Sequence, residues 1–125
     1  MLLFKKKFMP AIRSGVKRQT LRIGKNARMK SGQKSYIPGF GHIRITSVDQ
    51  VQTADLTEGD ATVDGFDSLA ALLTELDQLY GEKFRAGEAI FRIRFRPWDE
   101  SIDGPCISAK QRKANLSKSQ PEQSS

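Results

Sequence analysis

The stretch Gly15-Val16-Lys17-Arg18-Gln19-Thr20-Leu21-Arg22 sets a lysine, a threonine and two arginines within six residues, behind an apolar-basic start, Leu2-Leu3-Phe4-Lys5. Gln19 to Ile23 reads as a strand. Side chains then alternate between faces, so Leu21 and Ile23 point one way while Arg18, Thr20 and Arg22 point the other. At about 3.3 Å of rise per residue, these three stand roughly 7 Å apart along one stripe. One face is apolar and the other is cationic, which suits an anionic polymer.

Working outward, the charge is unevenly spread. Lys5, Lys6, Lys7, Arg13, Lys17, Arg18, Arg22, Lys25, Arg28, Lys30, Lys34 and Arg44 precede the first acidic residue, Asp49. Ten carboxylates between Asp49 and Glu88 are then set against Lys83 and Arg85 alone. The formal net charge of +7 therefore understates the basic half. A concentrated basic surface attracts phosphate backbones by counterion release, without any base being read.

With 125 residues, 38% of them apolar, the chain has material for one domain with one core. No segment approaches the roughly 20 apolar residues that span a bilayer, and the N-terminus carries no signal-peptide run. The expectation is a cytoplasmic, monomeric protein without membrane partners. Cys106 is the one cysteine and His42 the one histidine, which excludes an internal disulfide and a thiolate-histidine zinc site. No metal or cofactor is implied, and His42 reads as an exposed turn residue.

Leu2 to Phe4 reads as a short first strand, and Phe8 to Ser14 as a helix that tolerates Pro10 in its first turn and stops at Gly15. A basic loop from Gly24 to Gly32 follows the cationic strand and is expected to overhang its face. Gln33 to Ile37 and His42 to Val51 read as strands around the Pro38-Gly39 turn, with Ile43, Ile45 and Val48 facing inward and Arg44 outward. Thr57 is a plausible N-cap for a helix ending at Gly65, and Asp67 for the next. In that second helix Leu69, Leu72, Leu73, Leu76 and Tyr80 recur at helical spacing and read as core. The last strand, Ala89 to Arg96, alternates Phe91, Ile93 and Phe95 against Arg92, Arg94 and Arg96. Residues 1–97 thus form the expected globular body. Residues 98–125, rich in Ser, Gln, Lys, Asn and Pro, are expected to be a disordered polar, basic tail.

The opening Leu-Phe-Lys, the pattern Ser14-Gly15-x-Lys17-x-x-Thr20-x-Arg22, the Gly32-Gln33 step, Leu56-Thr57-x-x-Asp60-Ala61-x-x-Asp64-Gly65-Phe66 and a closing Ile-x-Phe strand together resemble the ASCH domain family, over roughly residues 1 to 97. The resemblance implies an α+β fold: a small PUA-like β-barrel with two to three helices packed at its openings and a basic cleft. It also implies RNA-related roles. Bacterial N4-acetylcytidine amidohydrolases look similar across the Lys17 segment, and their catalytic lysine and threonine fall on Lys17 and Thr20. Their catalytic glutamate falls on Asp64, whose side chain is one methylene shorter. Other ASCH proteins are similar to a ribonuclease acting on single-stranded RNA.

Two functions stay open. One is a binding module that holds RNA, a nucleoside or a nucleotide in a basic cleft through Arg18, Arg22, Lys5 and Arg44, with Tyr36 or Phe40 stacking a base. The other is a hydrolase acting on N4-acetylcytidine or single-stranded RNA. In the amide case Thr20 attacks the acetyl carbonyl, Lys17 accepts the proton, and Asp64 orients the lysine or returns a proton to the leaving amine. A lysine base has to be neutral, and the nearest charged partner decides whether it is.

Overall fold

The computed structural model describes residues 1–105; residues 106–125, which include Cys106 and most of the expected tail, lie outside the described residues. Four strands form one antiparallel sheet in the order β1 (Gln19–Ile23), β4 (Ile90–Pro97), β3 (Gly41–Val51), β2 (Lys34–Ile37). Five helices accompany it: α1 (Met9–Ser14), α2 (Glu58–Val63), α3 (Leu69–Tyr80), α4 (Glu82–Arg85) and α5 (Glu100–Asp103). The sheet curls into a half-barrel, so the expected closed barrel is corrected to an open one, and the helices outnumber the two or three expected.

The opening has a local cause. Leu2–Phe4 does not form the expected strand but lies extended between the sheet's two edges. Leu2 donates its backbone N–H to Tyr36 on β2 at 2.8 Å, while the Leu3 carbonyl accepts from Arg22 Nη2 on β1 at 2.8 Å. One bond on one side and a guanidinium on the other replace the ladder that would close the barrel.

Two apolar clusters flank the sheet. One gathers Leu2, Met9, Ile12, Met29, Ile37, Ile43, Ile45, Ile93 and Phe95, with Phe4 and Phe8 packed against it. The other joins Leu21, Ile23, Val51 and Ile90 to Leu56, to Ala61 of α2, and to Leu72 and Leu76 of α3. On β3, Ile43 and Ile45 are two residues apart but Ile45 and Val48 are three apart. A strand keeps both pairs inward only by inserting an extra residue, and the register shifts between Ile45 and Ser47.

Helix ends follow the side chains available. Thr57 caps α2 as expected: its Oγ1 accepts from the Asp60 N–H at 3.2 Å, and Asp60 Oδ2 accepts from the Thr57 N–H at 3.0 Å. The cap of α3 is Ser68 rather than Asp67, with Ser68 Oγ accepting from Ala71 N–H at 3.1 Å. α5 falls inside the expected tail and docks on the body through Asp103, whose carboxylate takes two 2.7 Å bonds from Arg96.

Candidate functional site

Between α1 and β1 the chain is stitched on three sides. Lys17 N–H donates to Ala11 O of α1 at 3.0 Å, Arg18 N–H to Val63 O of α2 at 2.7 Å, and Phe95 N–H of β4 to Arg18 O at 3.0 Å. Gly65, at φ +90°, brings the end of α2 so close that a Cβ there would lie 3.4 Å from Lys17 Cβ. Lys17 Nζ donates to the Asp64 backbone carbonyl at 2.6 Å and directly to Asp64 Oδ1. Only 3% of Lys17 and 2% of Asp64 is exposed.

The ammonium is also walled by rings, with Phe8, Phe4 and Phe66 centroids 4.9, 5.5 and 5.6 Å from Nζ. Their faces attract the cation while excluding water. Burial pulls Lys17 below the ordinary lysine value; Asp64 opposes this and Arg22 adds to it. Burial likewise pushes Asp64 above the usual carboxylate range, against the pull of Lys17. Desolvation thus drives both members toward their uncharged forms, even though each stabilises the other's charge.

Lys17, Thr20 and Asp64 line one cavity of about 110 Å³, at the seam between the two apolar clusters. Thr20 and Arg22 face it from β1, and Lys5 lies at its edge. Arg22 does not extend into solvent as a phosphate contact would. Its guanidinium bonds Leu3 O and sits 5.0 Å from the Phe4 ring centroid, and burial lowers its proton affinity, with nearby Tyr80 opposing. Arg22 and Tyr80 also border a wider cavity of about 630 Å³, whose wall includes Lys25 and Arg28 of the basic loop.

Three expected binding residues lie elsewhere. Arg18 turns back, its Nε donating to Gly15 O at 2.8 Å, and faces a separate groove with Arg92, Arg94 and Arg96. Arg44 Nη1 is 3.4 Å from Asp103 Oδ1, and Tyr36 stands exposed on β2, edge-on to the exposed His42 ring at 5.0 Å. The arginine row of β4 alternates as expected, but carboxylates answer its charge. Arg92 pairs with Asp49 at 2.6 Å and Asp60 at 3.1 Å, and Arg96 with Asp103 at 2.7 Å. Burial alone would raise Asp60, yet hydrogen bonds from Thr57 and Gln19 and the Arg92 charge hold it below the usual range.

Sequence reasoning missed Glu75, which α3 buries beside the cavity, where Lys7 Nζ bonds its Oε1 at 2.7 Å. A signal existed: Leu72, Glu75 and Leu79 share one helical row, which puts the carboxylate next to the core stripe.

A hypothetical protein of known crystal structure superimposes with a TM-score of 0.63, at 16% identity over 77% of this chain and 95% of its own. The ASCH domain from Lactobacillus crispatus superimposes with a TM-score of 0.60, at 21% identity over 70% of this chain and 67% of its own. The chain has the ASCH-domain fold. An Enterococcus faecalis protein is similar too, with a TM-score of 0.53 and 20% identity over 72% of this chain and 69% of its own. No protein-family model matches the sequence, and no curated protein matches it. Among the described residues, no helix of this ASCH fold is long and apolar enough to cross a membrane.

Proposed function

We propose that this ASCH-fold domain takes a nucleoside, free or as an exposed base of RNA, at the Lys17 cavity and hydrolyses the N4-acetyl amide of a cytidine. The observation that carries this reading is the meeting of Lys17, Thr20 and Asp64 around one cavity. These are the positions on which the resemblance to the amidohydrolases puts a lysine, a threonine and an acid. Size sets the pose: about 110 Å³ admits the acetyl group and the N4 edge, leaving the ring and ribose to the wider cavity beyond Arg22 and Tyr80.

The chemistry starts from the pair. Passing one proton from Lys17 Nζ to Asp64 Oδ1 converts the ion pair into its neutral tautomer, the direction in which burial drives both groups. Thr20 Oγ1 then attacks the acetyl carbon as Lys17 takes its proton. The C–N bond breaks as Lys17 hands that proton to N4, which frees cytidine and leaves an acetyl ester on Thr20. Water attacks the ester and gives a proton to Lys17; the acyl C–Oγ1 bond breaks as Lys17 returns that proton to Thr20 Oγ1, and acetic acid leaves and ionises to acetate in solution. Thr20→Val keeps the side-chain shape and removes the nucleophile. Folded Thr20→Val protein should therefore release no cytidine from N4-acetylcytidine, and undiminished turnover excludes Thr20.

A second reading, RNA held without chemistry, is favoured by Lys25 and Arg28 at the wider cavity. Salt-sensitive retention of single-stranded RNA, with N4-acetylcytidine left intact, selects it.

A further inference from the structure

Among the described residues, four buried side-chain polar atoms have no hydrogen-bond partner, and three of them, Arg22 Nε, Asp64 Oδ2 and Glu75 Oε2, belong to residues lining the Lys17 cavity. Each unmade bond of this kind costs about 1–3 kcal/mol, so three around one cavity are groups that a ligand or an ordered water there can satisfy. Asp64 is already engaged through its other oxygen by Lys17. Glu75 has no part in the proton transfers above. Lys7 holds its Oε1 at 2.7 Å, while Lys5 Nζ stays 3.6 Å from Oε2, outside hydrogen-bond range. The Glu75 carboxylate thus has one hydrogen-bonded oxygen and one, Oε2, that meets only the longer Lys5 ion pair.

A carboxylate oxygen accepts and a guanidinium Nε–H donates. Glu75 Oε2 and Arg22 Nε together complement a ligand that offers an N–H beside a C=O. We propose that Glu75 and Arg22 read the secondary amide of an acylated amino-heterocycle, Glu75 Oε2 accepting the amide N–H and Arg22 Nε donating to the amide oxygen. This deepens the hydrolase reading and rests on it for the ligand class. Glu75 is then a positioning residue that admits secondary amides and rejects esters and N-alkylated amides, which lack the N–H. Arg22 Nε–H faces the oxygen on which negative charge gathers as Thr20 attacks.

The test is a cycle of ligand and protein changes, read by calorimetry on Thr20→Val protein so that nothing is consumed. N4-acetylcytidine should bind about ten- to a hundredfold more tightly than its N4-methyl derivative, the cost of losing one hydrogen bond to a charged acceptor. In Thr20→Val/Glu75→Leu that preference should vanish, whereas a steric penalty from the methyl group would persist unchanged and overturn the assignment. Should the leucine variant fail to unfold cooperatively, Glu75→Gln serves. Lys7 takes the glutamine carbonyl and turns the NH₂ toward the ligand, so the preference should again be lost, and its persistence overturns the assignment. N–H-dependent binding without hydrolysis by the wild-type chain sinks the hydrolase reading and leaves this one standing. Hydrolysis with an equal methylation penalty in both backgrounds does the reverse, and no binding of either compound overturns both.

Discussion

Lys17 and Asp64 form a buried pair whose members cannot be removed singly without consequence. Lys17→Met leaves Asp64 buried without its counter-charge and should destabilise the fold by about 3–5 kcal/mol at neutral pH, measured by urea unfolding. Lys17→Met/Asp64→Leu should recover most of that loss, and additive losses would contradict the pairing. The single variant also has a pH signature. Asp64 is already raised by burial, and without Lys17 it rises further. A carboxyl raised in the folded state binds a proton there that the unfolded chain releases. Lys17→Met should therefore be most stable in acid and lose stability as pH climbs from the ordinary carboxylate range through the raised value. Gly65→Ala tests the turn that sets the pair: a Cβ at φ +90° strains the backbone by roughly 1–3 kcal/mol in the segment that carries Asp64, so both stability and turnover should fall. At this scale, Lys17, Thr20 and Asp64 could be picked out as candidates because two short motifs, Ser14 to Arg22 and Leu56 to Phe66, carry them. Glu75 was not, because only the apolar stripe of its helix was read and the acid beside it was passed over. Arg22 read as a surface cation because strand alternation reports a face, and cannot report that Leu3 and Phe4 cover it.

Among the elements, those signalled by local chemistry came through: Gln19–Ile23 as a strand, the Thr57 cap and the helix of Leu72 and Leu76 all follow from periodicity or capping residues. Thr57→Ala should cost about 1 kcal/mol, read as a lowered urea midpoint with unchanged slope. Two features depend on partners outside their own segment and escaped. Leu2–Phe4 has strand-like residues but gives its bonds to Tyr36 and Arg22, and α5 is docked by Arg96 and Arg44 within a segment of tail-like composition. Hydrogen bonds from Arg96 hold Asp103 down to about 2. A carboxylate depressed in the fold contributes stability above its ordinary value and loses it as pH falls through the folded one. The docking of α5 should thus persist at pH 4 and release as pH falls toward about 2, followed by Trp98 fluorescence, since the Trp98 indole bonds Gly104 O at 2.9 Å. Asp103→Asn should show the released signal already at neutral pH.

For the whole molecule, the open half-barrel leaves a seam between two apolar clusters, and the Lys17 cavity occupies it. The β4 face that composition alone makes cationic is answered by Asp49, Asp60 and Asp103, so a count of arginines overstates the surface available to a polyanion. Chain-wide charge asymmetry was legible in the sequence, but its cancellation required knowing that β4 lies against β3 and α2. This arrangement leaves little of the β4 face to a broad phosphate track. The most direct measurement is chromatographic: purified protein incubated with N4-acetylcytidine, beside a Thr20→Val control that keeps the buried Lys17–Asp64 pair, with cytidine and acetate followed over time. Equimolar release by the wild-type chain and none by the control is the predicted result. Intact N4-acetylcytidine after prolonged incubation, or equal release by both proteins, would contradict the Lys17 cavity as the site of hydrolysis.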